Sequence, residues 1–266
     1  MRAYGVTNTG RIRTSNEDCF ALDEDLQLYI VADGMGGHNA GEVAARLAVD
    51  SVVEFIRDTS DTAHSRRPNG RGPSNGAWPF GFDPALSESG NRMRTAIHLA
   101  NVRILETSMT ADRYSGMGTT IVAAMIEDGR LSVGHVGDSR VYLLATDRLR
   151  PLTRDDSWVA AVMADERTVD PGVLQHHPMR GALTNVVGTR PRTDVHVIEE
   201  TLTGGEVLVL LTDGVHGVLD HRCLERLARS TDDVRELGFA LVGGALARGS
   251  RDNCTAVVAR YGAGTP

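Results

Sequence analysis

The spacing of apolar and polar positions along the chain assigns most of its elements. Leu26 to Val31 (LQLYIV) is a continuous apolar run between Asp25 and a glycine-rich turn at Gly34, Gly36 and Gly37, which predicts a buried strand. From about Ala40 to Arg57 the period changes. Val43, Leu47, Val52, Val53 and Ile56 fall near one face, so a helix is predicted there. Helical spacing returns at Met93, Ile97, Ala100, Ile104 and Leu105. From Gly118 onward the pattern predicts strands: TTIVAAMI, LSVGHVG and RVYLL in succession. Asp128-Gly129 between the first two is a tight-hairpin signal. The polar stretch Arg154 to Arg180 has weak helical character. The run EVLVLL leads into Thr212-Asp213-Gly214, two short helices are predicted within His221 to Ala247, and CTAVVARY after Asp252-Asn253 predicts the last strand.

One long stretch follows neither period. Residues 59–91 are rich in Gly, Pro, Ser and Asn, which reads as a flexible surface insertion with Trp78, Phe80 and Phe82 able to dock part of it. No internal repeat and no linker divides the chain, so residues 1–266 are expected to form a single domain. Strands in hairpins with a few long helices fit an α+β fold better than a regular βαβ alternation. The size, 266 residues, suits one sizeable core. Net charge −7 argues against nucleic acid as a partner. The chain contains no apolar run of membrane-spanning length, and the N-terminal sequence lacks a signal-peptide core, so no membrane association is expected. Cys19, Cys223 and Cys254 are odd in number and far apart, which fits free thiols and a cytoplasmic location.

Candidate chemistry lies where apolar runs end. Asp33, Asp138, Asp213 and Asp252 each stand beside a strand candidate. Asp128 also sits in an Asp-Gly pair, but a two-residue turn explains it fully. A single such aspartate is more often a cap or turn residue. Four from remote parts of the chain would meet at the rim of a sheet, and clustered carboxylates repel unless cations neutralise them. Mg²⁺ keeps several waters beside a few carboxylates. The glycines after Asp33 would leave the turn bare, so that metal, water and substrate can reach it. In RTSNED, Arg13 offers a guanidinium fork for phosphate, and Glu17 and Asp18 offer two more acids. Taken alone, that segment reads as a solvated turn.

The ordered set RTSNED, VADGMGG, GMGTT, GHVGDSRVYLL, LTRDD, LTNVVGT, LLTDGV and RDNCT resembles the PP2C-type (PPM) metal-dependent protein serine/threonine phosphatases, their bacterial branch in particular, from about Val6 to Tyr261. The resemblance implies a sandwich of two antiparallel β-sheets flanked by helices, with a dinuclear Mn²⁺ or Mg²⁺ site at one end. It implies that Asp33 bridges the two metals and the Gly34 carbonyl binds one of them. Asp213 and Asp252 would complete the other metal's shell, and Glu17 and Asp18 would orient metal-bound waters. Arg13 would hold the substrate phosphate, and Asp138 would join Asp213 at a third metal. The reaction implied is hydrolysis of phosphoserine or phosphothreonine in proteins by a metal-activated water, with Arg13 and Asp18 in catalytic roles and a cognate Ser/Thr kinase as the opposing partner. Two metals about 3.5–4 Å apart can activate water and stabilise both oxygens of an in-line displacement.

Two departures from the family pattern stand out. Met35 follows Asp33-Gly34 where many eukaryotic members carry His, and Asp156 stands where His is common. Asp156 borders a flap over residues 156–180. His38, His135, His176 and His177 are expected to have no metal role. Two other readings compete with an active phosphatase. A catalytically dead binding module would be expected to have lost metal aspartates, which this chain keeps. A two-metal nuclease or phosphodiesterase would favour a basic stripe, which it lacks. A monomer is the expected state.

Overall fold

In the computed structural model the described residues are 2–37, 40–64, 78–146, 148–165, 174 and 177–262. The chain begins with strands β1 (Arg2–Asn8), β2 (Asp18–Asp23) and β3 (Leu28–Met35), then helices α1 (Ala40–His64) and α2 (Glu88–Ser108). Strands β4 (Gly118–Thr119), β5 (Ile121–Glu127), β6 (Arg130–Val136), β7 (Arg140–Ala145) and β8 (Arg148–Pro151) follow, then helix α3 (Trp158–Asp165). The last elements are β9 (His196–Thr201), β10 (Val207–Leu211), the single turn α4 (Asp213–His216), α5 (His221–Ala228), α6 (Val234–Ala247) and β11 (Cys254–Arg260).

The strands form two antiparallel sheets, one in the order β1-β11-β10-β7-β8 and one in the order β2-β3-β5-β6-β9 with β4 beside β3. Because successive side chains of a strand point to opposite faces, each central strand serves two cores. Tyr29 and Val31 of β3 meet Leu208, Leu210 and Val257 between the sheets. Leu28, Ile30 and Ala32 of the same strand pack on Ala48, Val52 and Ile56 of α1 and on Ile97 and Ile104 of α2. Val209, Leu211 and Val258 face Leu224 of α5 and Leu237 and Leu241 of α6. The result is helix, sheet, sheet, helix, the α+β sandwich expected from the sequence. Strands covered on both faces read as unbroken apolar runs, which is why the central ones were legible. Each fully buried Leu or Ile contributes about 1.5–3 kcal/mol.

The hairpin expected at Asp128-Gly129 is present, with Glu127 opposite Arg130 and both turn residues at positive φ. All three cysteines are buried and unpaired. Among the described residues no helix is long and apolar enough to cross a membrane. Several boundaries need correction. Strand β3 does not stop at Val31 but continues through Asp33 and Gly34, so Asp33 lies within the sheet and not at its mouth. The insertion is shorter than 59–91, since α1 runs on to His64 and α2 starts at Glu88. Ser87 caps α2, and the buried Asn91 amide donates to the carbonyls of Asp83 at 2.8 Å and Ser87 at 3.0 Å, fixing the entry to that helix. Trp78 meets Phe82 edge-on and Phe80 packs on His98, so the aromatic residues do dock this end of the segment. Residues 65–77 of the proposed insertion, and 166–173, 175 and 176 of the proposed flap, lie outside the described residues, as do His38 and His176.

The first glycine after Asp33 also has a packing reason. A Cβ on Gly34 would overlap the carbonyl oxygen of Gly41 and come within 2.7 Å of that of Glu17. Gly34 is therefore bare so that the first turn of α1 can lie against β3. Gly37, by contrast, has open space around its Cβ position. Gly34→Ala should destabilise the protein by about 1–3 kcal/mol or more, since backbone must move, while Gly37→Ala should stay within roughly 0.5 kcal/mol of wild type. Denaturant melts of the two variants test this; equal stability would show that the α1–β3 contact is not tight.

Candidate metal centre

At one end the two sheets are joined by the carboxylate of Asp18. Asp18 opens β2 and pairs with Asp33 of β3 in the same sheet. Its Oδ2 accepts hydrogen bonds from the hydroxyls of Thr212, at 2.9 Å, and Thr255, at 2.6 Å, which stand where β10 and β11 of the other sheet reach this end. Asp33 is held from the opposite side: Thr120 N and Thr119 Oγ1 both donate to its carbonyl at 2.9 Å. Asp213 opens α4 directly after β10, and a Cβ on the next residue, Gly214, would overlap the carbonyl oxygen of Asn253. That close approach brings Asp213 beside the segment that carries Asp252. Asp138 lies in the turn between β6 and β7, and its carbonyl accepts from His216 Nε2 at 3.0 Å. Asn253 organises the N-terminal loop. Its amide donates to the carbonyls of Thr9 and Ser15, each at 2.9 Å, and its Oδ1 accepts from Glu17 N at 2.8 Å.

Asp33, Asp18, Asp138, Asp213 and Glu17 are partly or wholly withdrawn from water, and their proton affinities rise accordingly. Burial is the largest cause for each, because the charged form loses water. Asp33 is raised well above the ordinary carboxylate range by burial and then by Asp18, Asp213, Asp138 and Asp252. Asp18 is pushed up to about 7 by burial, against the pull of its two threonine hydroxyls. Asp138 is pushed up to about 7 by burial and by Asp213. Asp213 is raised by burial and Asp252, although a hydrogen bond with Asp33 opposes the shift. Glu17 is raised by burial, against the pull of Arg13. Burial holds His216 down to about 3, so it is neutral behind Asp138.

Comparison with known proteins adds to this geometry. The protein phosphatase 2C profile matches residues 11–239. The chain belongs to that family. The phosphatase is similar to the serine/threonine phosphatase stp of Listeria welshimeri, 28% identical over 97% of this chain and 95% of the relative. It is also similar to the serine/threonine protein phosphatase PstP of Mycobacterium tuberculosis, 30% identical over 97% of this chain but spanning 45% of that longer protein. The crystal structure of PstP superposes with a TM-score of 0.81 at 26% identity, covering 98% of this chain and 99% of that one. A structure of the PstP catalytic domain in complex with two manganese ions superposes with a TM-score of 0.78, also at 26% identity, covering 98% of both chains. The expectation of an enzyme of the serine/threonine phosphatase class is thus borne out.

In the phosphatase, Asp18, Asp33, Asp138, Asp213 and Asp252 act on one another electrostatically, and Glu17 feels Asp252. Arg13 stands at the exposed rim with its guanidinium 2.7 Å from Asp252 Oδ2, so it is engaged with an acid of the cluster. His135 is buried in the core, as expected, and His177 stacks on Trp158 at 4.2 Å between ring centres. The sequence reading missed Thr212, Thr255 and Asn253 as site residues. All three lie within quoted motifs, but threonine and asparagine carry no charge signal. The donor set fits a hard divalent cation, being oxygen throughout and rich in carboxylate. Buried Asp18 Oδ1 and Asp213 Oδ1 have no hydrogen-bond partner in the protein, which leaves two oxygen ligands unspent. No three His, Cys, Asp or Glu side chains among the described residues close into a metal cage.

The raised acids predict how cations and pH act together. Asp18 and Asp138 titrate near 7 in the folded protein and near about 4 when unfolded. The folded state therefore binds more protons between those values, and stability in chelator should fall as pH rises through that window. A cation that replaces the protons removes this loss. The rise in melting temperature on adding Mn²⁺ should be larger at pH 7.5 than at pH 5; an equal or smaller rise at pH 7.5 would mean that cations bind elsewhere.

Proposed function

We propose that this phosphatase hydrolyses phosphoserine and phosphothreonine in proteins, with divalent cations held by the carboxylates at the end of its sandwich, and that it opposes a bacterial Ser/Thr kinase. The observation that carries this reading is the set of buried acids at one end of the sandwich with two orphaned oxygens, at a site whose rim presents an arginine. Asp33 and the Gly34 carbonyl, with Asp213 and Asp252, would hold two Mn²⁺ or Mg²⁺ ions. Asp138 and Asp213 would hold a third. Bound cations supply Lewis acidity, activating water and offsetting the charge of the phosphoryl group. The chain's own residues do the positioning. Thr212 and Thr255 fix one oxygen of Asp18, so that its other oxygen, together with Glu17, can orient the attacking water. Arg13 would take up the phosphate, which carries about −1.5 to −2 charge at neutral pH.

The resident groups disfavour the two other readings. The candidate acids are all present and clustered, unlike a degenerate binding module. The net charge of −7 opposes a polyanionic nucleic-acid substrate. The enzyme should release phosphate from a phosphoserine peptide in Mn²⁺ and not in excess EDTA, Asp213→Asn should lose nearly all turnover while keeping its fold, and a DNA substrate should stay intact. Wild-type rates in EDTA or in Asp213→Asn would sink the metal mechanism, and DNA cleavage would favour the nuclease.

Arg13 has a sharper expectation because of its partner. A charge-assisted phosphate contact is worth about 1.5–3 kcal/mol, so Arg13→Ala should lower kcat/KM by roughly 10- to 150-fold. Lysine cannot reproduce the guanidinium fork and should recover little. Since Arg13 neutralises Asp252, its removal leaves more negative charge on the cation site. Mn²⁺ affinity, measured by calorimetry, should hold or tighten. Weaker Mn²⁺ binding would instead make Arg13 an organiser of the Asn16-Glu17-Asp18 segment.

A further inference from the structure

Three of the sequence motifs have no chemistry assigned to most of their residues: LTRDD, LTNVVGT and the strand-turn GHVGDS. They converge on one side chain. Asp156 N donates to Gly137 O at 2.9 Å, and Gly137 N donates back to Asp156 Oδ2 at 3.0 Å. The same Oδ2 accepts from Asn185 Nδ2 at 2.8 Å, and Oδ1 lies 2.9 Å from His196 Nε2 on β9. Thr184 N donates to Asp156 O at 2.8 Å. Next to it, Ser157 bridges to Leu183 and Trp158 N donates to Ala182 O, so residues 156–158 and 182–184 run together as a short two-stranded ladder.

Gly137 immediately precedes Asp138. Its φ of +96° is open to glycine, and a Cβ there would come within 2.7 Å of Thr120. The peptide on its N-H side is therefore held by a carboxylate and its carbonyl by a backbone amide of the same residue. Asn185 in turn accepts from Thr193 Oγ1 at 2.8 Å, and the His196 ring stacks on buried His135 at 4.8 Å between centres. Each partner of Asp156 is thus itself anchored.

We propose that Asp156 is a positioning residue that clamps the Gly137–Asp138 turn to both roots of the 156–184 segment and so sets where the Asp138 carboxylate stands. This rests on the reading of Asp138 as a cation-binding acid. The identity of the residue matters for a simple reason. A carboxylate offers two oxygens with about four acceptor sites, whereas a neutral imidazole offers one acceptor. Histidine, common at this place in the family, cannot take Gly137 N, Asn185 and His196 together. In this chain His196 completes the set from the neighbouring strand. Asparagine can do most of the work. Its carbonyl can accept from Gly137 and Asn185, and its amide can donate to His196 Nε2 in the other ring tautomer.

The test compares Asp156→Ala, Asp156→His and Asp156→Asn. The clamp itself is read by hydrogen–deuterium exchange on the cation-free protein. Ala and His should speed exchange in peptides covering residues 134–140 and 183–187 with the β10–β11 core unchanged, and Asn should stay near wild type. Since misplacing a catalytic group by about 1 Å can cost on the order of 100-fold, Ala and His should lower kcat by about 10- to 100-fold with KM less affected. A double-mutant cycle separates positioning from general stability. In an Asp138→Asn background, Asp156→Ala should cost little further in kcat or in Mn²⁺ affinity. Unchanged exchange, an Asn variant as damaged as Ala, or the same kcat loss in both backgrounds would each overturn the proposal. Faster local exchange together with an Asp138→Asn variant of wild-type cation binding would keep the clamp and reject the role given to Asp138.

Discussion

Carboxylates packed into one buried space repel one another, and the rest of the architecture has to hold them against that repulsion. The central contact is Asp18 with Thr212 and Thr255, because it joins the two sheets at the end where the acids gather. Hydroxyls suit this task. They donate to a carboxylate without adding a cation that would compete with metal. A lysine there would satisfy Asp18 and spoil the site. Two neutral donors hold one oxygen in place and leave its charge available, and the second oxygen remains without a protein partner.

Backbone packing supplies the remaining precision. Gly34 against Gly41 seats the N-terminus of α1 on β3, and Gly214 against the Asn253 carbonyl seats the start of α4 on the approach to β11. Neither contact leaves room for a Cβ, so main chain touches main chain and the attached acids inherit that rigidity. Asn253 then ties the Arg13–Glu17 loop to the same point through Thr9, Ser15 and Glu17. Residues far apart in sequence are thus fixed by contacts that involve few freely rotating side chains.

This explains what could and could not be read from the sequence. Strands buried on both faces, such as β3, β5 and β10, announce themselves as apolar runs. Strands β1, β2, β8 and β9 do not, because they are short or half-exposed and carry mixed residues. Asp33 stands out as chemistry but is misplaced at a strand end, since an acid inside a strand breaks the apolar pattern; that Asp18 faces it across the ladder follows only from register. The acids were legible because charge beside an apolar run is anomalous. Thr212, Thr255, Asn253 and Asn185 were not, because a neutral polar residue in a loop or near a strand end is ordinary until its partner is known.

The nearby arginines complete the electrostatic account. Arg13 is engaged with Asp252, and Arg140 makes a two-pronged contact with Asp155, at 2.8 and 2.7 Å, while its charge only partly offsets the rise at Asp138. Both of these arginines are thus paired with an acid. A fold selected for stability alone would bring one of them inward, and Asp18 and Asp138 would then titrate in the ordinary range. Their proton affinity near neutrality comes first from burial and then from the neighbouring acids. On the proposed reading, the same field that costs stability in the absence of metal would draw divalent cations to these carboxylates, so that proton and cation would compete for one set of oxygens.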